Sequence, residues 1–206
     1  MKLRYSPTSP YVRKVAVTAI ELGLAGRIER VPTNTQDPDS DLSHDTPLAK
    51  VPALVLDDGQ ALYDSPVICE YLDSLHDGLK IFPPTGAERW RALRQQALAD
   101  GMLDAAILRL MENARRPAEF RWQGWDDHQK AKVARGLDSL EAEAEAAAAA
   151  LDGPLTIGQI TVGCTLGYLD FRYPQDAWRD GHPNLTAWYE GFAARASMAD
   201  TVPHAP

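Results

Sequence analysis

The sequence predicts an α/β domain at residues 1–77 and an all-helical domain at 88–206, joined by a linker at 78–87. Three observations predict this. Short strand patterns alternate with helical ones only in the first third of the chain. A stretch from His76 to Gly86 carries Pro83-Pro84 and two glycines, which punctuate the chain. Beyond it strand patterns disappear, and apolar residues recur at helical spacing.

In the first domain, Leu3-Arg4-Tyr5 is a short strand. Ser9-Pro10 opens a helix to about Leu22, with Val12, Val15, Ala16, Ala19 and Ile20 at helical spacing. Proline suits a first helical position, where its missing N–H has no partner to lose. Gly23 and Gly26 end the helix, and Arg27 to Val31 alternates as a second strand. A β-α-β unit of this kind makes its two strands parallel. Pro32 to Lys50 is a polar loop with at most a short helix. Ala53 to Leu56 is an apolar strand, Asp57-Asp58-Gly59 a hairpin turn, and Ala61-Leu62-Tyr63 the antiparallel return. Ser65-Pro66 opens a helix to about Leu75. The order β-α-β, loop, β-β-α is the layout of a thioredoxin-like domain.

In the second domain, Glu88 to about Arg116 carries Leu93, Leu98, Met102, Leu103, Ile107, Leu110 and Met111 on one broad face. Asp126 to Ala150 is a second long helix, whose alanine-rich end is strongly helix-forming. Asp152-Gly153-Pro154 breaks it. Thr156 to about Phe171 and Asn184 to about Arg195 are two further helices, and the tail from Asp200 has no pattern.

Bulk properties narrow the function. A chain of 206 residues that is 45% hydrophobic supports a large core. A net charge of −8 does not suit a phosphate backbone, so nucleic acid is not an expected partner. No stretch is long and apolar enough to expect a membrane span. The first residues lack the pattern of an export signal, so the cytoplasm is the expected compartment. Cys69 and Cys164 form no paired motif and read as buried thiols. The histidines, His44, His76, His128, His182 and His204, have no ligand spacing, so no metal is expected.

Three motifs carry chemistry. Ser9, at the end of the first strand, is a helix N-cap. At that place in a thioredoxin-like domain it also stands where a ligand thiol meets unpaired N–H groups and the positive end of a helix dipole. Such a site favours a thiolate, and the Ser9 hydroxyl adds a hydrogen bond. In Thr46-Pro47-Leu48-Ala49-Lys50-Val51-Pro52, Pro52 either simply enters a strand or follows a cis bond. The cis form turns the Val51 N–H and C=O outward to pair with an extended peptide. In Asp64-Ser65-Pro66, Ser65 reads as a cap with Pro66 at the first helical position. Equally, the Ser65 hydroxyl and N–H grip a carboxylate while Asp64 pairs with an ammonium. A γ-glutamyl group carries both.

With these motifs the whole chain resembles the cytosolic glutathione transferases, the YibF-like bacterial branch in particular. The matching segments are Ser9-Pro10-Tyr11-Val12-Arg13-Lys14, Lys50-Val51-Pro52, Asp64-Ser65-Pro66, Leu98 to Ala105 and Gly167 to Arg172. The resemblance implies a cis Pro52, with Val51 on the cysteinyl backbone of glutathione. It places Asp64 and Ser65 on the γ-glutamyl end, Lys50 on the glycyl end and Ser9 on the sulfur. The first two helices of the second domain would line an electrophile pocket and a homodimer interface. The implied reaction is attack of the glutathione thiolate on an unidentified electrophilic small molecule. The alternative is a glutathione-binding or protein-interaction module of the same fold with little turnover. Thioltransfer is disfavoured, because the site offers Ser9 and no cysteine.

The chain departs from the family where Thr46 and Ala49 replace a frequent Asn and Gly. Gln159 also replaces the usual aspartate of a capping box, a role glutamine fills by reaching back to the cap N–H. Arg115-Arg116 and Arg121-Trp122 either shape an anionic pocket or form a solvated helix end, and the helix end is the favoured reading. Asp100 and Asp104 face either a cleft or interhelical ion pairs.

Overall fold

The computed structural model describes residues 1–146, 151 and 153–204. The chain divides into two compact units, residues 1–84 with 195–206, and residues 85–194.

The first unit begins with β1 (Lys2–Tyr5), α1 (Pro10–Glu21) and β2 (Glu29–Pro32). A single turn of helix, α2 (Leu42–Asp45), sits in the polar loop. The hairpin β3 (Leu54–Val55) and β4 (Ala61–Leu62) leads into α3 (Ser65–Ser74). Strand order is β2-β1-β3-β4. β1 and β2 are parallel, as a β-α-β unit requires, and β3 is antiparallel to both its neighbours. Leu3, Val12, Val15, Leu54, Ile68 and Leu72 form the core, each at most 1% exposed. Cys69 joins them as a buried thiol, and the Thr18 hydroxyl donates to its sulfur at 3.5 Å.

The sequence assigns the tail to the helical domain, but residues 195–206 group with the first unit. The reason is polar contact with α1. Arg195 donates Nε and Nη2 to the two carboxylate oxygens of Glu21, each at 2.8 Å, and the Ser197 hydroxyl also donates to Glu21. Arg13 donates Nη2 to the Met198 carbonyl at 3.0 Å and Nε to Thr201 Oγ1 at 3.4 Å. These contacts stabilise a short last helix, Ala196–Ala199.

The second unit contains α4 (Gly86–Ala114), α5 (Gln123–Ala146), α6 (Ile157–Arg172) and α7 (Pro183–Ala193). Residues 147–150, which the sequence places in the second long helix, and Asp152 at its break lie outside the described residues. Leu103 and Ala106 of α4, Leu140 of α5, Ile160 and Cys164 of α6 and Leu185 of α7 are fully buried. Gly158 permits the close packing of α6 on α4, since a Cβ there would lie 2.9 Å from the Ala92 carbonyl. The glutamine substitution in the α6 cap works as expected: Gln159 Oε1 accepts the Thr156 N–H at 2.6 Å. Gln159 Nε2 also donates to the Leu151 carbonyl at 2.7 Å. No described helix is long and apolar enough to cross a membrane.

Candidate active site

The register of the sheet collects three segments at one edge. β1 ends at Tyr5 and leads to the N-terminus of α1. β3 runs antiparallel to β1, with Leu3 opposite Leu54, so the residues entering β3 lie beside the end of β1. The Arg4 N–H donates to the Ala53 carbonyl at 2.9 Å and extends that pairing. β4 returns beside β3, with Leu62 opposite Leu54, and delivers the start of α3 to the same edge.

Ser9 is the N-cap of α1. Its Oγ accepts the Val12 N–H at 3.3 Å, and Pro10 follows at the first helical position. Because the oxygen is the acceptor there, the O–H proton remains available to donate elsewhere. The neighbouring hydroxyls differ: Ser6 Oγ and Thr8 Oγ1 lie 3.3 Å apart and engage one another.

The Val51–Pro52 bond is cis. The loop that carries Lys50 toward it is tied to β1 by Arg4, whose Nη1 meets Asp41 at 2.9 Å and whose Nε meets Asp45 at 2.5 Å. The hydrogen bond from Arg4 is the main cause holding the Asp41 carboxyl below its ordinary range. Lys50 itself is exposed.

At α3 the boundary is one residue earlier than the sequence suggests. Asp64 is the N-cap, so Ser65 and Pro66 occupy the first two helical positions. The Asp64 side chain makes no cap hydrogen bond. Asp64 is exposed, whereas Ser65 is 1% exposed. Proline is tolerated at either position, because the first N–H groups of a helix lack intrahelical partners. The Tyr63–Asp64 bond is also cis.

Within the second unit, a cavity of about 730 Å³ opens where α4 ends and α5 begins. Its walls include Met111, Glu112, Arg115, Phe120, Trp122 and Trp125. The buried Glu112 carboxylate accepts the Trp122 N–H at 2.8 Å and Arg116 Nε at 2.7 Å. First the Trp122 N–H and then Arg116 hold the Glu112 carboxyl below its ordinary range.

Comparison with known proteins decides the family. The model of the glutathione S-transferase N-terminal domain matches residues 8–75, and that of the C-terminal domain matches residues 87–191. The chain belongs to the glutathione S-transferase family. It is similar to the uncharacterised GST-like protein YibF of Escherichia coli K12, with 34% identity over 98% of both chains. It is also similar to a glutathione transferase family member from Pseudomonas fluorescens Pf-5, solved with bound glutathione. That match has 46% identity, covers 99% of each chain and has a TM-score of 0.93. A family member from the same organism, solved with S-(propanoic acid)-glutathione, aligns over 100% of each chain at 45% identity and a TM-score of 0.91.

The sheet edge of this glutathione S-transferase brings Ser9, Val51, Asp64 and Ser65 together, with Lys50 on the loop that enters it. Two of the three departures from the family pattern, Thr46 and Ala49, leave marks on that loop. Thr46 is buried, and its Oγ1 has no hydrogen-bond partner among the described residues. Ala49 adopts a left-handed φ of 46°, the region in which glycine carries no steric penalty. Sequence reading misses Arg4 as the anchor of the loop, because its carboxylates stand about forty positions away in the chain. It also misses Glu112, although the Glu112–Arg116 spacing of one helical turn is a signal that can be read.

Proposed function

We propose that the protein binds glutathione along this sheet edge and conjugates it to an electrophilic small molecule. One observation carries the reading. A hydroxyl-capped helix N-terminus, a cis X-Pro strand entry and an uncapped carboxylate at a second helix N-terminus share one edge of the sheet. Those features match the thiol, the cysteinyl backbone and the γ-glutamyl end of glutathione in turn. The similar proteins solved with glutathione and with a glutathione conjugate support the same assignment.

The thiol of glutathione lies at Ser9. The Ser9 O–H and the positive end of α1 favour its thiolate through a charge-assisted hydrogen bond and the helix dipole. The sulfur then forms a bond to the electrophilic carbon, the leaving group departs with its electron pair, and the thiol proton passes to solvent. Ser9 stabilises charge and forms no covalent intermediate. Val51 pairs with the cysteinyl backbone, Asp64 and Ser65 hold the γ-glutamyl ammonium and carboxylate, and Lys50 meets the glycyl carboxylate. The protein acts as a homodimer in the cytoplasm; its buried cysteine thiols suit a reducing compartment.

Thermal unfolding with and without glutathione tests binding. A ligand that binds only the folded state at a hundredfold excess over its Kd stabilises by about 2.7 kcal/mol. An unchanged Tm at millimolar glutathione refutes the proposal. Light scattering near the 22.6 kDa of one chain refutes the dimer.

A further inference from the structure

We propose that the cavity at the end of α4 takes electrophiles built as a flat aromatic ring bearing an anionic group, with the Arg115 guanidinium as the anchor for that group. Turnover with glutathione rests on the glutathione transferase reading above; the binding of the ring and its charge does not.

The cavity, about 730 Å³, is of the size that encloses a small organic ligand. Phe120 and Trp122 are each 67% exposed, and Trp125 joins them in the lining. Aromatic side chains recognise a planar ring by offset or edge-to-face stacking. The charges decide what that ring carries. The Glu112 carboxylate is buried and already accepts from Trp122 and Arg116, so its charge is spent within the wall. Arg116 is committed to that pair. The Arg115 side chain makes no hydrogen bond or ion pair among the described residues, and it lines the cavity. A planar guanidinium in that position matches a carboxylate in a bidentate fork. The chain as a whole carries −8, so an anion needs a local cation of this kind to be held here.

The test compares 4-chloro-3-nitrobenzoate with 4-chloro-3-nitrobenzamide. In both, the glutathione thiolate forms a C–S bond at the chlorinated carbon as the C–Cl bond breaks, and chloride leaves with the bonding pair. Each kcat/KM is divided by the uncatalysed rate constant to remove ring reactivity. We expect the benzoate to be preferred about tenfold, a small value for a hydrogen bond to a charged group because the site is open to solvent. Arg115→Gln should collapse the ratio toward one, and Arg115→Lys should keep part of it.

A second measurement is independent of glutathione: quenching of tryptophan fluorescence by unreactive 3-nitrobenzoate and 3-nitrobenzamide, corrected for absorption. The benzoate should bind about tenfold more tightly, and Arg115→Gln should abolish the difference. Selective binding without turnover leaves this inference standing and removes the transferase reading. Turnover of both compounds at equal normalised rates, with no selective binding, overturns the inference and leaves that reading intact. A preference undiminished in Arg115→Gln overturns it too. So does Trp122→Ala dissociating a dimer, which would make this face an interface between copies.

Discussion

Glu112 holds the backbone of Trp122 across the turn between two helices, its carboxylate accepting the Trp122 N–H at 2.8 Å. That contact fixes one aromatic wall of the cavity to α4. The Glu112 carboxyl is held below its ordinary range in the folded protein. A depressed carboxyl contributes stability above the ordinary glutamate value, about 4.3, and loses it as the pH falls through the folded value. Glu112→Gln should therefore be less stable than the parent at pH 7, and the gap should close as the pH falls below about 4. Urea unfolding at several pH values checks this; a gap constant with pH refutes it.

Ser9 should matter to the ligand thiol more than to ligand affinity. A hydrogen bond to a charged group is worth about 1.5–3 kcal/mol, and one pKa unit is about 1.36 kcal/mol. Ser9→Ala should raise the pKa of bound glutathione by roughly one to two units and cut activity at neutral pH about ten- to a hundredfold. Thiolate absorbance against pH reads the shift, with Ser6→Ala and Thr8→Ala as comparisons. A shift in either of those and none in Ser9→Ala reassigns the hydroxyl.

Ser65→Ala should raise KM for glutathione and leave kcat nearly unchanged, because the carboxylate grip proposed for it is equal in ground and transition states. Asp64, not Ser65, is the N-cap, so Ser65→Ala removes no cap. Steady-state kinetics with each substrate varied in turn checks this. Equal rises in KM for both substrates refute a glutathione-specific contact.

Ala49 stands at φ 46°, where a Cβ crowds the following carbonyl. That conformation costs a non-glycine residue roughly 1–2 kcal/mol. Glycine removes the crowding but adds unfolded-state entropy, so Ala49→Gly should stabilise by up to about 1 kcal/mol. Ala49→Val should destabilise. Denaturant midpoints at constant slope measure both.

What sequence shows and hides follows from the range of each signal. α1 is legible because its cap, its proline and its apolar spacing all lie within one segment. The parallel β1–β2 pair follows from chain connectivity alone. The start of α3 is ambiguous by one residue, because Asp64 and Ser65 are both good caps and proline fits either of the next two positions. The cavity is legible only as one of two readings, since Arg115, Arg116 and Trp122 also read as a solvated helix end until Glu112 ties the Trp122 backbone to α4. The Glu21–Arg195 pair spans 174 positions and leaves no periodic trace.

The clasp of the tail on α1 splits the first unit in sequence, with the whole helical unit inserted between its two parts. Translation delivers those parts in order. The segment that contains Ser9 leaves the ribosome before the helical unit, and Glu21 and Arg13 wait for Arg195, Met198 and Thr201 until that unit has been made. The sheet edge that carries Ser9 is thus made before the helical unit, while α1 gains its clasp only after it. A chain cut just before Arg195 would keep every residue of that edge and leave α1 without its clasp.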